Sequence, residues 1–245
     1  MIALVLSLSL RQLLGQRRTL FLVLLALVPL LAAIIYRIGN ADVEAPEFAA
    51  NALLNGLVVQ GLLPLTALIF GTAALGSEIE DGTITYLLAK PIARWRIVVG
   101  KLLASWTATT AVVLLSAVAS GVVVLAGESE PRIVAGFAIA LVVGALAYSA
   151  LFLLLSLVTS RALFAGLGYA FIWEGVVTNF APGVQRLSIR EYTLGIADFI
   201  ADTSRGNFDA ELGFTYSVIL MAVVCIGAAA LAVRRLSRFE LGESA

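Results

Sequence analysis

Histidine is absent from this 245-residue chain, and cysteine occurs once, as Cys225. A lone cysteine excludes a disulfide within the chain, and Cys225 is read as a small apolar packing residue. The two scarcities together argue against a His/Cys metal centre and against any Ser-His or Cys-His nucleophile pair. No metal site and no catalytic residue are therefore expected. No G-x-x-x-x-G-K-[ST] loop is found either, so the chain is not expected to cradle ATP by that route. Charge is scarce: 13% of residues are Asp, Glu, Lys or Arg, and 16 basic groups balance 16 acidic ones. A soluble domain carries roughly a quarter charged residues. With zero net charge, nucleic acid is not an expected partner.

What the chain has is apolar length, with 61% hydrophobic residues. A bilayer core takes about 20 apolar residues per helix. Six such runs are present, at 19–36, 52–76, 102–126, 133–158, 162–178 and 214–233. Unpaired amides are too costly in lipid, so the runs are expected as helices. They do not alternate as barrel strands do. The expected fold class is an all-α integral membrane protein, one transmembrane domain over 1–245, with the lipid bilayer as its solvent. The opening MIALVLSLSL has no basic region before it; Arg11, Arg17 and Arg18 follow. Ser7, Arg11, Gly15 and Arg18 share a helical stripe. The segment 1–18 is therefore expected as an amphipathic interfacial helix over 2–17, or as an extension of span 1.

An even number of spans puts both termini on one side. That side, with the 77–101 loop, holds 11 of the 16 Lys and Arg residues, whereas 11 of the 16 acids fall on the other. The termini and the loop are thus expected in the cytoplasm, in a cell (plasma or inner) membrane.

The 77–101 loop has an internal order. Asp81 is expected to cap a short helix starting near Gly82. The run TITYLLAK follows, and Pro91 ends it. Thr83, Ile84, Tyr86, Leu87 and Leu88 give an apolar and aromatic surface, suited to lipid headgroups or a protein groove. The pattern E-x-E-D-G-T-I-x-x-L-L-x-K-P-I-x-R-x-x-I-V-x-G-K, residues 78–101, resembles the signature loop of type-2 ATP-binding-cassette (ABC) permeases. The length and the Trp173–Glu174 pair look most like the short permeases that include the one serving nitrous-oxide reductase maturation. The resemblance implies a coupling helix that seats in a cleft of a separate ABC ATP-binding subunit. It places Glu78, Glu80 and Asp81 at the cleft rim, and Gly82 and Thr83 at the helix start. Ile84, Tyr86, Leu87 and Leu88 would contact or support the ATPase; Pro91 and Arg94 would set the bend back to the membrane, and Lys101 the start of span 3. It also implies two copies of the ATP-binding subunit, which bind ATP and Mg, and a homodimer of this chain. The alternative is a loop whose charges only fix topology.

Past span 5, residues 179–213 are too long for a structureless loop. "SIRE", Ser188 to Glu191, is a capping-box pattern. Ile189, Tyr192, Ile196 and Phe199 then recur at helical spacing, which predicts a helix over about 189–202 and a turn over Asp202–Asn207. Family resemblance implies a short re-entrant helix; a surface helix at the headgroups is the alternative. Glu174 falls in the outer third of span 5, with Arg186 and Arg190 the nearest partners in sequence. It is read as a structural pair, or else as a substrate-facing group. Asn51, Asn55 and Gln60 either line a polar path or bond between helices. Pro29 and Pro64 are expected to kink spans 1 and 2. Ala162, Gly166 and Ala170 form a small-residue face, suited to a dimer contact or to packing within the chain.

The functional expectation is a membrane permease subunit of an ATP-driven exporter. A non-transporting scaffold or mechanosignalling subunit driven by an ABC ATPase is the alternative. An ion-coupled secondary transporter is disfavoured because no acid is expected at mid-membrane and no internal repeat is visible.

Overall fold

The computed structural model describes residues 8–9, 17–39, 43–84, 93–128, 130–178, 184–201 and 210–238. Most of the predicted interfacial helix, the 85–92 segment of the loop and the predicted turn at 202–207 lie outside them. Among the described residues the chain is helical, without strands. Helix α1 is Arg17–Ile38. Helix α2 is continuous from Ala45 to Glu80 but changes register: a turn Ala45–Glu47, a π-helical stretch Phe48–Leu62, then an α-helix Leu63–Glu80. Helix α3 is Arg94–Val124 and α4 is Pro131–Val158. Helix α5, Ala162–Val177, is short and becomes π-helical from Tyr169. After a 3-10 turn, Val184–Leu187, come α6, Ile189–Ala201, and α7, Phe214–Ser237.

Five helices, α1 to α4 and α7, are long and apolar enough to cross a membrane. Helix α4 is central, packing on α2, α3, α6 and α7. Its Phe137, Tyr148 and Phe152 are fully buried. Helix α1 is peripheral: Phe21, Leu24, Leu31, Ile35 and Ile38 are exposed, as lipid-facing side chains are. Pro29 lies inside α1, and one turn before it the Ala26 carbonyl accepts a 2.6 Å hydrogen bond from Ser116 Oγ of α3. The carbonyl that Pro29 deprives of its helical donor is that of Leu25, so the Ser116 bond ties α3 to α1 at the carbonyl next to it. At the end away from the 77–101 loop, Arg37 donates to the Ala126 carbonyl and ties α1 to the end of α3.

The sixth crossing departs from the expected continuous span. Helix α6 runs beside α4 in a groove made by the missing side chains of Gly136 and Gly144. A Cβ at Gly136 would lie 2.8 Å from Ala197 O and Ala201 N; one at Gly144 would lie 2.6 Å from Thr193 Oγ1. The amino end of α6 is therefore the deep end. It sits near Tyr148, ten residues before Val158, or about 15 Å from the loop end of α4. That is about half of a 30 Å hydrocarbon core. Helix α5 climbs from the loop end to this depth, and α6 continues to the far end. The two half-helices α5 and α6 together run the length of α4, and α6 is packed within the bundle against α4 and α7. Ile189, Tyr192, Thr193, Leu194, Ile196 and Ala197 are buried. Phe199, which the spacing put on the buried stripe, is 63% exposed and stacks on Phe214.

Candidate functional site

At the loop end, α2 stops on a left-handed glycine. Asp81 N–H reaches Ser77 O at 2.9 Å, Gly82 N–H reaches Ile79 O at 3.2 Å, and Gly82 has φ 68°. Helices commonly end this way. Asp81 is therefore the C-cap of α2, a correction to its expected place opening the next helix. The reason is that Ser77–Glu80 extend the α2 ladder past the apolar run, and Glu78 finds a cation there. Its Oε1 pairs with Lys101 Nζ at 2.5 Å, and the Lys101 side chain is only 4% exposed. The residues bounding the loop thus clasp the end of α2 to the start of α3. Thr83 Oγ1 donates to the Glu78 carbonyl. Ile84 turns back into apolar contact, buried in one cluster with Leu75, Ile97, Val98, Leu157 and Leu236. Arg94 opens α3. Tyr86, Leu87, Leu88 and Pro91 lie outside the described residues, as does the Glu80 side chain.

At mid-depth, Glu174 is buried. Tyr148 Oη donates to its Oε2. Tyr169 Oη donates to Oε1 at 2.9 Å, and the Ile189 amide donates to the same oxygen at 3.0 Å. The carboxylate therefore sits on the amino end of α6, where unpaired amides and the helix dipole favour an anion. Ser188 accepts from the Glu191 amide at 3.3 Å, half of the predicted capping box. Two expectations are corrected. Glu174 lies near mid-depth, not in the outer third, because Tyr169 onward is π-helical and rises less per residue. Its partners are phenols and backbone amides, that of Arg190 included, and not the guanidinium of Arg186 or Arg190. Arg186 is exposed, and its carbonyl accepts from Tyr192 Oη.

Arg190 points instead at α2: its Nη2 donates to Asn55 Oδ1 at 3.2 Å, and Nη1 lies 3.9 Å from Glu191 Oε1. Asn55 belongs to a stripe that only the π register creates. An i→i+5 ladder has roughly 4.4 residues per turn. The buried pairs Ala49/Ala50, Leu53/Leu54, Val58/Val59 and Leu62/Leu63 recur at that spacing. Asn51, Asn55 and Gln60, separated by four and five residues, then fall together on the opposite face. At 3.6 residues per turn, Asn51 and Gln60 would lie on opposite sides of the helix. In the structure Asn51 and Gln60 are exposed and Asn55 is half-buried. The Ala162, Gly166 and Ala170 face of α5 is turned inward: all three are buried, and a Cβ at Gly166 would collide with Leu68 of α2 and press on Phe152 of α4.

The profile of the family described as "ABC-2 family transporter protein" matches residues 6–239, almost the whole chain. The chain belongs to the ABC-2 family. It is a multi-pass membrane protein and a permease subunit of an ABC transporter, a class that works with an ABC ATP-binding subunit. A search of curated proteins returns no match. In this ABC-2 permease, sequence reasoning missed Tyr148 and Tyr169 as partners of Glu174. The signal was weak but present: an acid in an apolar segment needs donors, and tyrosine supplies one without a second buried charge. It also missed that Glu78 and Lys101 pair, although opposite charges at facing ends of consecutive helices are natural partners. A mid-depth acid had counted toward an ion-coupled carrier. Here its two oxygens are committed to donors of its own chain, and the family match decides the class.

Proposed function

We propose that this ABC-2 permease pairs as a homodimer with two copies of an ABC ATP-binding subunit and exports a solute. The loop end faces the cytoplasm, as the excess of Lys and Arg there suggests. ATP and Mg bind in the partner subunit, and this chain does no chemistry. The observation that carries the reading is the buried Glu78–Lys101 clasp with Ile84 packed beneath it. It fixes both ends of the 77–101 segment to α2 and α3. A partner that moves the segment therefore moves the two helices, rather than a slack tether. The amides of Asn51, Asn55 and Gln60, on one face of α2, are suited to lining the path. Polar groups in the hydrocarbon region belong against protein or water, not lipid.

The test is co-purification of the ATP-binding subunit, with its turnover, for Gly82→Pro, Tyr86→Ala, Leu87→Ala and Arg94→Glu at matched expression. Weakened association or uncoupled turnover in Tyr86→Ala and Leu87→Ala supports the reading; wild-type behaviour in both refutes it. Stimulation of turnover by a solute separates transport from a scaffold driven by the same ATPase.

A further inference from the structure

Polar contacts join the three helices around the far half of the bundle. Glu174 of α5 holds the amino end of α6, and Arg190, the second residue of α6, reaches Asn55 of α2. We propose that Glu174 is a positioning residue for a closure of the path: it sets the Arg190 guanidinium across the amide stripe at Asn55. This bar separates the Asn51 end of the stripe from the Gln60 end. The inference rests on the translocation reading above and assigns the group that shuts that path.

Three observations carry it. Along α2 the order is Asn51, Asn55, Gln60 from the far end inward, so a contact at Asn55 divides the stripe. The body of α6 is locked against α4 at Gly136 and Gly144, which leaves its amino end as the part that needs an anchor. Glu174 supplies that anchor: Oε1 receives Tyr169 and the Ile189 amide, and Oε2 receives Tyr148. A carboxylate so committed is a fixed point. The Arg190 guanidinium, by contrast, is under-satisfied. Its Nε is buried without a partner among the described residues, while the side chain is 13% exposed. An ion with an unmet donor loses little on leaving, which is what a bar that must open requires.

The experiment uses the complex with its ATP-binding subunit in sealed vesicles, without nucleotide, and a membrane-impermeant methanethiosulfonate reagent added at the far end. Cys225→Ala removes the native thiol, and a cysteine is placed at residue 51 or 60. Asn51→Cys is expected to react in every background. Gln60→Cys is expected to react slowly in the parent. In both Glu174→Ala and Arg190→Ala it should react about tenfold faster or more, the change for loss of one charge-assisted hydrogen bond from the closed state. Glu174→Gln, which keeps Oε1 as an acceptor, and Arg190→Lys should stay near the parent rate. Equal Gln60→Cys rates in all backgrounds, fast or undetectable, overturn the proposal. So does a rise in Glu174→Ala that Arg190→Ala does not share, because that is general loosening of α6 and not loss of a bar. Arg190→Ala keeps the test decisive if Glu174→Ala fails to assemble. Retention of the ATP-binding subunit is scored in the same vesicles. Its absence from the parent strikes the permease–ATPase reading, whereas unchanged accessibility with the subunit present strikes only the closure.

Discussion

Replacing Lys101 by methionine leaves the Glu78 carboxylate without its cation. Replacing Glu78 by leucine leaves the Lys101 ammonium without its anion. The two losses are not equal. The Lys101 side chain is 4% exposed and that of Glu78 is 16% exposed, so Lys101 is the charge with less access to water. Removing one member of a buried ion pair costs about 3–5 kcal/mol. Lys101→Met is expected near the lower end of that range and Glu78→Leu near the upper. Apolar replacement of both members of such pairs is often neutral or stabilising. The double variant should therefore be close to wild type, with a coupling energy of about 3 kcal/mol or more, against roughly 0.5 kcal/mol or less for independent sites. The assay is thermal unfolding of the purified protein in detergent. About 2–4 °C per kcal/mol is the scale for a chain of this length, so the single variants should lose roughly 10 °C and the double variant little. Single variants whose losses simply add in the double would show that the two side chains do not interact. Losses under about 1 kcal/mol in both would show that the pair is effectively solvated.

Gly82→Ala should destabilise by about 1 kcal/mol through its φ of 68° alone, because a Cβ there meets nothing within 4 Å; Gly82→Asn should recover part of it, and equal melting of Gly82→Ala and wild type would refute the cap. Gly144→Val should displace Thr193 and unseat α6, lowering the unfolding midpoint by several degrees, more than Gly227→Val on α7, where the added group meets open space. Ser116→Ala should cost about 1 kcal/mol by removing the hydrogen bond that ties α3 to the Ala26 carbonyl of α1, whereas Ser116→Thr keeps the hydroxyl; no difference between the two variants would refute that role. Cysteines at 43 and 128 should label from outside intact cells and one at 95 should not; labelling at 95 would reverse the proposed orientation.

Periodicity and apolar length were enough to find the helices from sequence, and the SIRE pattern was enough to start α6 at Ile189. The pairings were harder because they depend on depth and register, which composition does not carry. Glu174 looked destined for an arginine because Arg186 and Arg190 are its nearest cations along the chain. In three dimensions Tyr148, 26 residues earlier, is closer, and it neutralises nothing but donates. Asn51, Asn55 and Gln60 stand out in sequence as amides in an apolar span, but they share no single face at 3.6 residues per turn; the π register of α2 before Pro64 is what aligns them. Asp81 and Gly82 fit the start of one helix as well as the end of another. The positive φ of Gly82 separates the two cases, and a sequence does not print φ.

The half-helix α6 also bears on how this protein is made. Its buried Glu191 and Thr193, with Ser188 just ahead of it, give it no reason to leave the insertion machinery for lipid by itself. It has a resting place only once the groove at Gly136 and Gly144 and the flank of α7 are both in position. The seating of α6 is therefore expected only after the final helix, α7, has been synthesised. Substitutions that fill the groove should then surface in cells as proteolysed, incompletely inserted chains rather than as intact but idle permeases.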